Sequence, residues 1–313
     1  MTSETQGVAA SGAAGQKGQG YGRGVALVML AGVFWSLGGI LIRNIETAGE
    51  WQILFYRSLF AALTFLCVLI WRHRSRTPQV FRAAGLKAAF GGLCLACGFT
   101  GFVFAMVHTS IANAVFILSA SPLATALLAW IVLREGVTRL TWAATLVALL
   151  GIGIMVAGGI AAGTLFGNLM ALVAMAGFSC YAVTLRAGRG GDMLPAACLA
   201  GIFAAIAAAV MAAGTSLEAL AIPPGDLAFC AAMGILQIGA GLVLFTLGSK
   251  TVPAAELALL SLTEVILAPI WVWIGVGEVP RAATLLGGAV VLLAIAGRAL
   301  LGLKRKPPPF GAV

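Results

Sequence analysis

The sequence predicts an all-α membrane protein, and three observations carry that prediction. The chain has 313 residues, of which 61% are hydrophobic and only 9% charged, whereas soluble domains carry about 25% charged residues. Its mean hydropathy is +1.06. Apolar runs of roughly 20 residues recur along it, the length a helix needs to cross about 30 Å of hydrocarbon, and the alternating pattern of a membrane barrel is absent.

Ten spans follow in order, at about 24–43, 51–71, 86–107, 112–133, 140–160, 165–186, 193–213, 227–248, 254–277 and 282–303. Residues 1–22 are rich in Gly, Ala, Ser and Gln, a composition that predicts a disordered cytoplasmic tail. The first apolar run lacks a cleavage site and is read as a retained helix. Residues 304–313 form a second short cytoplasmic tail. Most linkers are short, so consecutive spans run antiparallel.

Charge sets the orientation. Arg72, Arg74, Arg76, Arg82 and Lys87 crowd the linker between the second and third spans, and such loops stay in the cytoplasm. Both termini are then cytoplasmic, with Arg134, Arg139, Arg186, Arg189, Lys250, Lys304, Arg305 and Lys306 on the same side. The net charge of +9 therefore reads as topology, because no basic patch interleaved with aromatics suggests nucleic acid. The expected location is a bacterial-type cytoplasmic (inner) membrane.

Ten spans divide into two groups of five, and an odd number per group requires the second to be inverted. Sliding the chain on itself by 143 residues places Ser36 on Ser179, Arg43 on Arg186, Gly98 on Gly241, Trp130 on Trp273 and Glu135 on Glu278, without a gap. The predicted domains are a first five-helix repeat over 24–160 and a second over 165–303. In the third span Ala84, Ala88, Gly92, Ala96 and Thr100 recur every fourth residue, a seam on which another helix can approach closely.

Residues that match across the repeats read as architectural; Glu135 and Glu278 are expected to be ion-paired boundaries near Arg139 and Arg281. Polar residues without a match mark where the halves diverged: Asn113 faces Glu256, Ser121 faces Glu264, Cys94 faces Gln237, Trp35 faces Phe178 and Arg57 faces Ala200. They imply a central polar cavity.

Glu264 lies about ten residues into its span, some 15 Å deep, where an ionisable group is functional by default. It could bind a substrate amine, carry a coupled proton or accept interhelical hydrogen bonds. Arg57 either snorkels outward or turns toward a substrate carboxylate. Trp35, Tyr181 and Trp271 are candidate pocket walls, and Asn113 and Gln237 candidate polar contacts. Pro122 and Pro269 break the backbone ladder within spans four and nine and are candidate hinges. His108 reads as a boundary residue.

The six cysteines lie in or beside apolar spans, so neither a disulfide framework nor a metal site is expected. No HExxH, P-loop, GxSxG or Asp-rich cluster occurs. The chain is expected to use no cofactor or metal and not to be an enzyme. Its partners are a small-molecule substrate and the bilayer, with no nucleic acid; the oligomeric state is left open.

The segments GVFWSLGGILIR, FYRSLFAALTFL, TSIANAVFILSASPLATALLAWIVLRE and ALLSLTEVILAPIWVWIGVGE resemble the drug/metabolite transporter superfamily, specifically proteins with two EamA domains. The chain looks most like the YddG-type aromatic amino-acid exporters. That resemblance implies an inverted-repeat bundle with a central cavity and alternating access, exporting aromatic or bulky neutral amino acids and related metabolites. One departure is that the Glu-Pro often seen in the second repeat is here Glu264-Val265, with the proline at Pro269. The same fold with a lipophilic cationic drug as cargo is the alternative, and a membrane enzyme or sensor a remote one.

Overall fold

The computed structural model describes residues 3–134, 136–161, 163–187, 194–213, 220–249, 251, 252, 257 and 260–303. All regular structure among them is helical: α1 (Ser3–Arg43), α2 (Glu50–His73), α3 (Thr77–His108), α4 (Ile111–Ser119), α5 (Ser121–Leu133), α6 (Arg139–Ala161), α7 (Leu165–Ala187), α8 (Leu194–Ala213), α9 (Pro224–Ala232), a π-helical segment Met233–Ala240, α10 (Gly241–Gly248), α11 (Leu262–Val276) and α12 (Ala282–Leu303). Among the described residues seven stretches are long and apolar enough to cross a membrane, and Leu262–Val276 and Ala282–Arg298 are shorter apolar helices. One of the seven, Glu50–His108, holds both α2 and α3.

Missing side chains set how closely the helices meet. A Cβ on Gly101 would lie 2.6 Å from the Ala174 nitrogen, so α3 and α7 touch backbone to backbone. On the adjacent face of α3, Gly92 lies against Ala196 and Leu199 of α8, which is where the predicted small-residue seam is used. Gly151 meets Gly287 between α6 and α12, and Gly201 meets Ser58 and Ala62 between α8 and α2. Such contacts replace the hydrophobic driving force that lipid removes.

The registers of these contacts give the helix directions. Gly24 lies by Gly248, Trp35 by Gly241 and Gly38 by Gln237, so α1 runs antiparallel to the Met233–Gly248 stretch. Gly32 lies by Thr263, Gly39 by Val272 and Gly275 by Ile40, so α1 runs parallel to α11. The 143-residue offset recurs in the packing itself. Gly98 sits against Phe178, and its counterpart Gly241 sits against Trp35, the counterpart of Phe178.

Helix α1 begins at Ser3, while its apolar span begins at Tyr21. The fourth span breaks at Ala120, with Pro122 in the first turn of α5, but α11 passes through Pro269 without interruption. In the second half a turn at Ser261 precedes α11 instead. A break in a membrane helix must satisfy the carbonyls it releases. Serines do this: Ser119 donates to Phe116 O (2.6 Å), Ser121 to Leu118 O (2.5 Å) and Ser179 of α7 to Ser121 O (3.2 Å), while Ser261 donates to Leu257 O (2.8 Å). Glu135, Arg189, Glu256, Lys250 and the tail 304–313 lie outside the described residues.

Candidate functional site

At the end of the bundle where α1 stops, a charged contact ties the helices together. Arg43 Nε donates to Glu278 Oε2 at 2.7 Å and Arg43 Nη2 to the Thr109 carbonyl at 2.9 Å, while the Ile111 amide donates to Glu278 Oε1 at 2.8 Å. The side chains are about a quarter exposed (26% and 23%), so water reaches this contact. Glu278 thus pairs with Arg43 across the fold, not with the neighbouring Arg281 as its spacing suggests. A cavity of ≈ 370 Å³ lies here, lined in part by Arg43, His108, Ser110, Asn113, Glu278 and Arg281. His108 Nε2 lies 2.8 Å from Glu50 Oε1.

Beneath this contact Asn113 belongs to a buried polar knot. Its Nδ2 donates to Asn168 Oδ1 and, at 3.4 Å, to Thr109 Oγ1; Thr109 Oγ1 donates to Asn168 Oδ1 at 2.8 Å, and Thr284 Oγ1 to Asn113 Oδ1 at 3.4 Å. The knot joins α3, α4, α7 and α12. Asn113 therefore both lines the cavity and holds four helices together. Nearby, Asp226 of α9 accepts from the Thr47 hydroxyl (2.6 Å) and from the amides of Glu46, Thr47 and Ala48 (3.2, 3.0 and 2.9 Å), fastening the α1–α2 linker.

Arg57 sits deeper, on α2, with 2% exposure. Its guanidinium carbon lies 4.7 Å from the Phe102 ring centroid and 5.2 Å from that of Phe99. Nε and Nη1 are buried and have no hydrogen-bond partner among the described residues. Phe99 in turn meets Phe178 of α7 at 6.3 Å between centroids. A cation with idle donors inside an aromatic box is the most conspicuous unfinished group in the bundle, because an unmet buried donor costs about 1–3 kcal/mol.

The remaining candidates line α1. Trp35 packs on Phe245 (5.2 Å between centroids), and the Gln237 amide Nε2 donates to the Trp35 carbonyl at 3.5 Å. Gln237 Oε1 is buried with no hydrogen-bond partner among the described residues, and Gln237 lies in the π-helical segment, an irregularity frequent at functional sites. Trp271 Nε1 donates to Ser36 Oγ at 2.9 Å. Glu264, half-buried in the first turn of α11, stands beside Gly32 of α1. No hydrogen bond or ion pair of its carboxylate occurs among the described residues. Counting 11 residues along α1 from Gly32 to Arg43 puts it about 16 Å below the charged contact.

The structure thus brings Trp35, Gln237 and Trp271 around α1 and places Glu264 further along the same helix. Arg57 lies on the α2–α3 side, Asn113 at the charged end, and Tyr181 on α7 facing Gly91 of α3. Sequence reasoning missed Phe99, Phe102 and Asn168, which carry no rare-residue signal. It also missed the Arg43–Glu278 pairing, although both residues repeat at the 143-residue offset as Arg186 and Glu135.

Comparison with known proteins agrees with this architecture. A solved crystal structure of a protein without a stated function superposes with a TM-score of 0.62 at 17% identity, covering 91% of this chain and 100% of that one; at such identity the likeness concerns the fold alone. No curated protein matches the chain. The model of the EamA-like transporter family matches residues 22–157 and again 165–299, so the two halves carry one domain each and the chain belongs to the EamA-like transporter family.

Proposed function

We propose that this transporter exports amino acids with aromatic or bulky neutral side chains, and related small metabolites, across a bacterial-type inner membrane by alternating access through a central cavity. In this reading ten helices cross the membrane as two inverted repeats with both termini in the cytoplasm. The observation that carries it is Arg57. A carboxylate matches the planar fork of a guanidinium, and an aromatic or bulky side chain would rest on rings such as Phe99, Phe102 and Phe178. Binding such a molecule satisfies donors that the closed bundle leaves idle. The helix breaks at Ala120 and Ser261 supply the two places where spans four and nine could flex.

The test is flux of an amino-acid panel into or out of proteoliposomes, with and without a pH gradient. Aromatic and bulky neutral amino acids should move, and Arg57→Met should stop them. A folded protein that moves no amino acid would sink the substrate assignment. Glu264 supports a second reading, in which a half-buried carboxylate without a partner among the described residues serves a lipophilic cation. In that case Glu264→Gln abolishes resistance to such cations while neutral amino-acid efflux stays nearly intact.

A further inference from the structure

At the end of the bundle opposite the Arg43–Glu278 contact, the α2–α3 connection builds a second concave surface. Gly85 has φ +55° and ψ −151°, a left-handed conformation that glycine alone adopts without strain. It divides α3 into a two-turn arm, residues 77–84, and the long helix beyond. The arm and the last turns of α2 border a shallow, open groove of ≈ 480 Å³, lined by Leu66, Ile70, Arg74, Ser75, Thr77, Pro78 and Phe81. Its walls are apolar. Its polar end is Arg74 and Ser75, both exposed, since the Thr77 hydroxyl is already spent on the Arg74 carbonyl at 2.8 Å.

The surroundings define what fits. No acidic residue occurs between Glu50 and Glu135, while Arg72, Arg76 and Arg82 flank the polar end, so the ligand's head carries negative charge. Ile70 is 51% and Trp71 83% exposed, and a tryptophan presented in this way belongs at a headgroup boundary. A soluble anion would gain nothing from Leu66, Ile70 and Phe81. We infer that this groove is a binding site for an anionic glycerophospholipid, its acyl chain along Leu66, Ile70 and Phe81 and its phosphate at Arg74 and Ser75. Basic residues next to a membrane helix attract such lipids; here the groove makes the attraction local and chain-dependent.

The experiment uses the full chain in a neutral detergent, with bound lipid counted by native mass spectrometry. Phosphatidylglycerol is compared with phosphatidylcholine of the same chains and with glycerol 3-phosphate. Phosphatidylglycerol should bind in preference to phosphatidylcholine, and Arg74→Gln should weaken it about fivefold, the effect of one basic residue near an anionic surface. Ile70→Trp, which fills the groove from an exposed position, should also weaken it, and thermal unfolding in detergent confirms that both variants are folded. Arg82→Gln, outside the groove, should change binding less. The proposal is overturned if both phospholipids bind alike, if glycerol 3-phosphate alone binds as well, if Arg82→Gln equals Arg74→Gln, or if folded Arg74→Gln retains wild-type binding.

Discussion

Replacing Arg57 by Met should move stability and transport in opposite directions. In this structure the guanidinium Nε and Nη1 have no hydrogen-bond partner among the described residues, and each unmet buried donor costs about 1–3 kcal/mol. Against this, the contacts with Phe99 and Phe102 contribute about 0.5–2 kcal/mol. Methionine keeps much of the apolar stem, adapts to the aromatic walls and brings no donor. The balance favours the variant by roughly 0–5 kcal/mol on these figures, so its unfolding temperature in detergent should rise. Amino-acid flux should fall by about a hundredfold or more, because a charge-assisted bidentate pair contributes about 3 kcal/mol or more when both its bonds are made. Arg57→Lys, which keeps the charge but loses the fork, should recover little flux. A variant that is less stable than the parent and transports normally would show that Arg57 is a packing residue whose idle donors bind no substrate.

Other outcomes follow from the same geometry. A double-mutant cycle over Arg43→Gln and Glu278→Gln, read by thermal unfolding, should give a coupling of about 1 kcal/mol or less that shrinks with salt, as expected for a partly exposed pair; zero coupling at low salt would remove the contact from the account. Gly101→Val should destabilise by about 1–3 kcal/mol or more, because its Cβ would fall on backbone atoms of Ala174 and Met170 that cannot rotate away; wild-type unfolding would contradict the α3–α7 register. Trp271→Phe should cost about 0.5–1.5 kcal/mol through loss of the bond to Ser36, and Ser36→Ala in the same background should add little. Gly85→Ala should destabilise through its positive φ and weaken phosphatidylglycerol binding together with the arm it shapes.

Much of the architecture is legible along the chain because membrane helices announce themselves by length and hydropathy, and because the repeat offset aligns residues as rare as Trp130 with Trp273. The candidate site is less legible. Glu264 and Arg57 stand out because charge is scarce in apolar spans, but their surroundings are ordinary phenylalanines and glycines that no rarity marks. Asn113 was visible as a polar residue out of place, yet its neighbours are Thr109 just past the end of α3, Asn168 of α7 and Thr284 of α12. Pro269 lies inside α11, where it removes one backbone donor, and the turn before that helix falls at Ser261, whose hydroxyl takes up the Leu257 carbonyl.

The sequence by itself determined the helical class, the membrane setting and the twofold repetition, since these depend on composition and periodicity, which are local or one-dimensional. Tertiary structure alone decided that Glu278 answers Arg43 and not Arg281, that Trp35 lies against Gly241 as Phe178 lies against Gly98, and that Arg57 Nε and Nη1 have no hydrogen-bond partner among the described residues. Each of these depends on which helix faces which and at what register. In spans that are apolar on every side, periodicity carries no such information; it emerges only when glycines let particular backbones close on one another.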